Sequence, residues 1–361
     1  MEQKKIVFDD IINTIGRNIR WIRKSLVKLA LLGAGRIGQL HGTNIQNNIP
    51  NAEIIVLADP YLSDQAKEWA AGVGIPVVTT DPDQVFANPE VEAVFICSST
   101  PTHADFIKKA AAAGKHVFCE KPIDTDIAKI KDAIAAVEKA GVKLQVGFVR
   151  RFDHNHKTVC DVVASGKLGA PNIVKVTSRD PAHQSMDYIK ISGGIFMDMT
   201  IHDFDMARYL AGSDVTEVMA YGAALSGEGY DKYGDVDNAI VMMKFENGAI
   251  GVIDNTRASH YGYDQRTEVQ CDKGCVQVSN DLNNQAMISS AEGVEIAKPT
   301  WFFLERYNDA FCAEDQAFID AIIYDTETPV GARDGLAPVE MAIAAAKSLK
   351  EGRPVKISEI R

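Results

Sequence analysis

The sequence predicts two domains in series: an α/β domain built on a doubly wound parallel sheet, then an α+β domain with a large, mostly antiparallel sheet. Three observations carry this. Between residues 27 and 149 short apolar runs alternate with helical patterns, and beyond residue 150 apolar runs follow one another through short glycine-containing turns. The chain's 361 residues also exceed what one core ordinarily organises. The expected boundaries are an N-terminal extension over 1–26, a first domain over 27–149 and a second over 150–361.

The extension comes first. Ile11, Ile15, Ile19, Ile22 and Leu26 recur at helical spacing, with Arg17, Arg20, Arg23 and Lys24 on or near the other face. A basic amphipathic helix suits a membrane surface or a transit peptide. Glu2, Asp9 and Asp10 are wrong for a transit peptide, and no small-residue cleavage site follows. The plainer alternative is an arm packed on a neighbour.

Strands are expected at 27–33, 53–59, 76–79, 93–98, 116–119 and 143–147, each close to continuously apolar, as strands covered on both faces are. Helices are expected between them, including 105–113 before Gly114 and 126–140 before Gly141, where glycine suits the helix end. The second half differs. Glu246-Asn247-Gly248, Asp272-Lys273-Gly274 and Ala291-Glu292-Gly293 each separate two apolar runs, and turns of that kind need positive φ and so join antiparallel strands.

Charge and cysteine narrow the function. With 49 acidic against 38 basic residues the net charge is −11, which repels polyanions and disfavours nucleic acid as a partner. The cysteines Cys97, Cys119, Cys160, Cys271, Cys275 and Cys312 lack the close pairing of zinc knuckles. They read as reduced thiols of a cytoplasmic protein. No run of about 18 uncharged apolar residues is present, so no membrane span is expected.

The first run leads into a G-x-G-x-x-G turn, with Gly33, Gly35 and Gly38 separated by Ala34, Arg36 and Ile37. Gly33 permits the tight turn, Gly35 lets a pyrophosphate approach the backbone and Gly38 allows close helix packing. Strand before, helix after and Asp59 ending the second run complete a Rossmann dinucleotide fingerprint. The Asp59 carboxylate suits ribose hydroxyls and repels a 2′-phosphate, so NAD is the expected cofactor. Ser98, Ser99, Thr100 and His103 follow the fourth strand at the edge where ligands of such sheets bind; they line the cofactor, cap a helix, or do both. Glu120-Lys121-Pro122 ends the fifth strand on that same edge. Its ammonium belongs beside the nicotinamide or in solvent, and its Lys-Pro bond is a candidate for cis.

The stretch 194–212 reads as one helix carrying Asp198, His202 and Asp205 at i, i+4 and i+7, on one stripe. A histidine with carboxylates a turn away on each side is a proton acceptor; a solvated polar face fits the same spacing. Zinc is the weaker reading, since no third strong ligand stands nearby, so no metal is expected. Arg150 and Arg151, at the junction of the halves, either clamp substrate hydroxyls or brace the interface. Tyr261 and Tyr263 either bond a sugar-like ligand or pack.

Taken together, the glycine turn, the E-K-P at 120–122 and the G-G-x3-D-x3-H at 193–202 resemble the Gfo/Idh/MocA family of NAD(P)-dependent oxidoreductases, over essentially all of 27–361. Residues 146–153, 193–210 and 262–266 are most similar to its inositol-oxidising members. The resemblance implies Lys121, Asp198 and His202 as the catalytic trio, and Arg151, Asp205 and Tyr261 with them at the polyol site. It also implies NAD-dependent oxidation of a secondary hydroxyl, myo-inositol to 2-keto-myo-inositol, in a homo-oligomer, a tetramer. Another inositol isomer, an aldose, or a glycosidase that oxidises transiently with NAD are the rival readings. The extension and residues 178–184, which include His183, fall outside the pattern.

Overall fold

The computed structural model describes residues 26–227 and 229–361, so all of the N-terminal extension except Leu26 lies outside the described residues. The described residues form two compact units.

The first unit holds a six-stranded sheet of β1 (Val27–Leu32), β2 (Ala52–Ala58), β3 (Val77–Thr79), β4 (Ala93–Ile96), β5 (His116–Glu120) and β6 (Leu144–Gly147). Its order is β3-β2-β1-β4-β5-β6, every pairing parallel. The order reverses between β1 and β4, which makes the carboxyl ends of those strands the place for a ligand. Helix α1 (Arg36–Asn48) leaves β1 through the glycine turn. Leu29, Leu31, Phe95 and Phe118 are wholly buried in the core.

That core contains a contribution from far along the chain. Cys312–Gly331 belongs to the first unit, whereas the sequence boundary puts everything after 150 in the second. Phe318 and Ile319 of the helix Asn308–Ile323 are wholly buried there, and the Phe318 ring stands edge-on to Phe95 at 5.5 Å and to Phe118 at 5.9 Å. Backbone follows side chain: Val146 N–H donates to Val330 O at 3.0 Å, and Thr328 Oγ1 donates to Leu144 O at 2.7 Å. Periodicity marks this helix as apolar without saying which sheet it covers.

The second unit carries a seven-stranded sheet of β7 (Pro171–Arg179), β8 (Val215–Ala223), β9 (Asn238–Phe245), β10 (Ile250–Thr256), β11 (Asp264–Cys271), β12 (Gly274–Val278) and, after a separate hairpin β13 (Met287–Ser290) and β14 (Gly293–Ile296), β15 (Val355–Lys356). The order is β12-β11-β7-β10-β9-β8-β15, antiparallel except for β7 beside β10. All three glycine turns join antiparallel neighbours as expected. Alternate residues separate the faces. Val174, Val241, Ile253 and Val269 pack with Phe204, Leu210, Met341 and Ala344 in one core, while Tyr221, Ile240, Met242 and Ile250 stand exposed on the other face.

Replacing Phe318 by alanine should cost about 3–5 kcal/mol, through lost transfer energy and the cavity left beside the Phe95 and Phe118 rings. Denaturant unfolding checks this; a loss below about 1 kcal/mol would show that the late helix does not complete the first core.

Candidate active site

In the first unit the glycine turn is shaped by close backbone approach. Gly33 sits at φ +102°, and a Cβ there would lie 2.6 Å from the Cys97 carbonyl oxygen; one on Gly38 would lie 2.1 Å from the Gly33 oxygen. Gly35 faces open space, with nothing within 4 Å of such a Cβ. No side chain caps α1, so the amides of its first turn, from Arg36, Ile37 and Gly38, start a helix with its positive end toward that space. Asp59 accepts from Ala34 N–H at 2.7 Å and from Tyr61 N–H at 2.8 Å, which fixes its carboxylate at the end of β2 with lone pairs left for ribose hydroxyls. The cradle fits NAD: open at the phosphates, and acidic where a 2′-phosphate would stand.

The loop after β4 is bonded to itself. Ser98 Oγ and Thr102 Oγ1 lie 2.7 Å apart, Thr102 donates to Ser99 O at 2.8 Å, and His103 Nε2 lies 2.9 Å from Ser98 O. Thr100 opens the short 3₁₀ turn Thr100–Thr102, and Ser99 is exposed beside it. Glu120 closes β5, its carboxylate 3.0 Å from His41 Nε2.

In the second unit the stretch 194–212 is not one helix. It is α3 (Ile195–Asp198) and α4 (Thr200–Ala211), preceded by α2 (Met186–Ser192), and a specific bond exchange accounts for the break. A continuous helix would join His202 N–H to Asp198 O. Instead His202 N–H donates to Met199 O at 3.2 Å, three residues back, and Asp198 O accepts from Lys121 Nζ at 3.0 Å. Such a local tightening is common at functional sites. The Lys121-Pro122 bond that precedes this contact is cis.

Asp198 is thereby a hub. Tyr188 O–H donates to its Oδ1 at 2.6 Å, and Arg257 Nη1 donates to its Oδ2 at 3.0 Å. The expectation that Asp198 orients the His202 ring meets a different geometry, because both carboxylate oxygens are engaged elsewhere. His202 Nδ1 is buried without a hydrogen-bond partner, and Phe148 stands edge-on to the ring at 6.0 Å. Burial, then the Lys121 ammonium and the Arg150 guanidinium, hold the imidazole pKa well below its ordinary value. His202 is therefore a neutral base beside a fixed positive charge.

Arg151 and Asp205 are brought together with each other. The guanidinium donates to both Asp205 oxygens, at 2.8 and 2.6 Å, and to Asp334 at 2.8 Å, inside a largely buried ion-pair network. Tyr261 is half-exposed and donates to Asp264 at 2.5 Å. Arg150 is buried against Asp203, Ser178 and Tyr263, a bracing role. Sequence reasoning missed Tyr188 and Arg257, which lie ten residues before and far after Asp198 with no shared spacing. It also missed Asp180, whose carboxyl is pushed up to about 6, chiefly by burial and further by Asp198, against the pull of Arg257. His183 Nδ1 lies 3.1 Å from Tyr230 Oη.

Two family models match the chain: the oxidoreductase family's NAD-binding Rossmann fold over residues 27–148, and the same family's C-terminal alpha/beta domain over 161–357. The chain belongs to the Gfo/Idh/MocA oxidoreductase family. It is 41% identical to a myo-inositol 2-dehydrogenase of Thermotoga maritima, over 92% of this chain and 99% of that one. It is 36% identical to a scyllo-inositol 2-dehydrogenase (NAD(+)) of Bacillus subtilis, over 92% and 96%. The crystal structure of a myo-inositol dehydrogenase from Corynebacterium glutamicum is similar with a TM-score of 0.86 at 37% identity, over 91% of this chain and 98% of that one.

The His202 pKa carries a sign. A depressed value keeps the ring neutral at pH 7, and protonation begins only well below the free value of about 6.5. Titration of the ring by NMR should give a midpoint well below that value. A midpoint at or above it would contradict the placement of Lys121 beside the ring.

Proposed function

We propose that this protein oxidises one secondary hydroxyl of a cyclic polyol, myo-inositol to 2-keto-myo-inositol, with NAD as the hydride acceptor. The observation that carries this is an ammonium, Lys121, held on the Asp198 carbonyl and next to a neutral buried imidazole, His202. The family membership and the inositol dehydrogenases among the relatives support the substrate class.

When bound, the nicotinamide supplies the position that accepts the hydride. The chain's own residues do the rest. His202 takes the hydroxyl proton, which makes departure of the hydride from the same carbon feasible. Lys121 donates a hydrogen bond to the reacting oxygen and stabilises its alkoxide character. Asp198, held by Tyr188 and Arg257, sets Lys121 through its carbonyl, and Lys121 in turn stands beside His202. Arg151, Asp205 and Tyr261 bound the polyol site, with Arg151 and Asp205 acting as one rigid ion pair. Residues 27–149 bind the cofactor, with the late helix completing their core, and 150–361 recognise the polyol.

A second isomer, scyllo-inositol, is the rival substrate, favoured by the scyllo-inositol relative. The apolar outer face of the large sheet, with Tyr221, Ile240, Met242 and Ile250 exposed, supports a homo-oligomer paired through that face. A tetramer is the form that the family resemblance implies. Among the described residues no helix is long and apolar enough to cross a membrane. The six cysteines are free thiols, which supports a cytoplasmic setting.

NADH production is to be measured with myo-, scyllo- and chiro-inositol, glucose and their phosphates. The highest kcat/KM is expected for myo-inositol; preference for a phosphorylated substrate would overturn the assignment. Lys121→Met should lower kcat about 10²- to 10³-fold with NAD affinity little changed, and equal loss of both would remove the lysine from the chemistry. Tyr188→Phe should lower kcat about tenfold, the worth of one hydrogen bond to a charged group. An unchanged kcat would make Tyr188 a bystander.

A further inference from the structure

Neither the fingerprint nor the proposed reaction uses His41. It lies on α1, three residues after Gly38, and is wholly buried. Its Nδ1 is 2.7 Å from Asp315 Oδ1 and its Nε2 is 3.0 Å from Glu120 Oε1. Phe118 stands edge-on to the ring at 5.0 Å and Phe95 is tilted against it at 5.9 Å. A carboxylate oxygen has no proton to give, so each contact is a hydrogen bond only if the ring donates through both nitrogens. The site has little slack, since a Cβ on Gly147 would stand 2.9 Å from Glu120 Oε1.

We propose that His41 is a positioning residue for the Glu120–Lys121 pair, an imidazolium on the helix that receives the cofactor, held by Asp315 at one nitrogen and pinning the Glu120 carboxylate at the other. The inference rests on the reading of Lys121 as the group that meets the reacting oxygen. Glu120 ends β5 and Lys121 is the next residue, so fixing that carboxylate fixes the root of the lysine. The same α1 opens at the glycine turn, so one ring ties the seat of the pyrophosphate to the strand end that carries the ammonium.

The charge state follows from the neighbours. The helix Asn308–Ile323 presents Asp315 and Glu314, β5 presents Glu120 and Cys119, and Cys97 follows β4. Burial opposes charge on the ring, yet Asp315 and then Glu120 outweigh it and raise the His41 pKa well above the ordinary value. Glu314 brings a third acidic group, its ligand oxygen within 4.8 Å of those of His41 and Glu120, a spacing that an ion would also suit. Both ring nitrogens, however, are already within hydrogen-bond reach of a carboxylate.

The test uses the full chain, with ¹⁵N NMR of the histidine rings and of Lys121 Nζ, metal analysis, NAD titration and turnover of myo-inositol. In the wild type both His41 nitrogens should stay protonated throughout a pH window centred on the ordinary imidazole midpoint of about 6.5. In Asp315→Asn the ring should titrate within that window, the Lys121 resonance should shift with it, and kcat should gain an alkaline limb that the wild type lacks. His41→Phe, which keeps the packing, should lose at least about tenfold in kcat with NAD affinity little changed. A wild-type ring that titrates in the window, a stoichiometric divalent ion, or His41→Phe that loses only thermal stability would each overturn the proposal. Failure of the wild type to oxidise any polyol would sink the substrate reading instead, and the His41 and Lys121 resonances in wild type and Asp315→Asn would still decide this one.

Discussion

The contact between the Lys121 ammonium and the Asp198 carbonyl is the constraint on which the rest of the candidate site depends. That carbonyl would otherwise sit in a helix ladder, bonded to the amide of His202. Its transfer to a lysine breaks 194–212 into α3 and α4 and sends the His202 amide to Met199. The cost of a broken ladder is offset by a charge-assisted hydrogen bond, stronger than the neutral one it replaces. The same contact holds a positive charge close to the imidazole, which, with burial, keeps the ring neutral. The break in the helix and the charge beside the ring thus share one contact, while burial makes the larger contribution to keeping the imidazole neutral.

Two histidines show how the neighbouring charges decide the outcome of the same burial. His202, near Lys121 and Arg150, is pushed down; His41, between Asp315 and Glu120, is pushed up despite complete burial. Their linkage to stability differs in sign. A group with a depressed native pKa withdraws stability as pH falls below its unfolded value, because the unfolded chain takes a proton that the native state refuses. A group with a raised value contributes below its unfolded pKa and loses that contribution as pH climbs through the native one. One ring is therefore suited to accept a proton during turnover, and the other to keep one.

Much of the fold was legible because the relevant signals are local. The six apolar runs became β1 to β6 in a parallel sheet, and Glu246-Asn247-Gly248 and Asp272-Lys273-Gly274 became the antiparallel hairpins they announced. The glycine turn was legible for the same reason, since spacing and flanking elements all lie within one segment. What escaped depends on distant partners. Nothing near Phe318 says that it completes the first core, and nothing near Tyr188 or Arg257 says that both meet Asp198. The unbroken helical pattern of 194–212 conceals its break, because the group that causes it is Lys121, far earlier in the chain. The spacing of Arg151 and Asp205 likewise gives no sign that they pair bidentately with each other.

The most direct test of the central claim is a crystal structure of the ternary complex with NADH and the polyol. The account predicts one substrate hydroxyl oxygen within about 3 Å of both Lys121 Nζ and a His202 ring nitrogen, its carbon facing the nicotinamide. A polyol bound with that oxygen away from either group, while Lys121 stays on the Asp198 carbonyl, would contradict it.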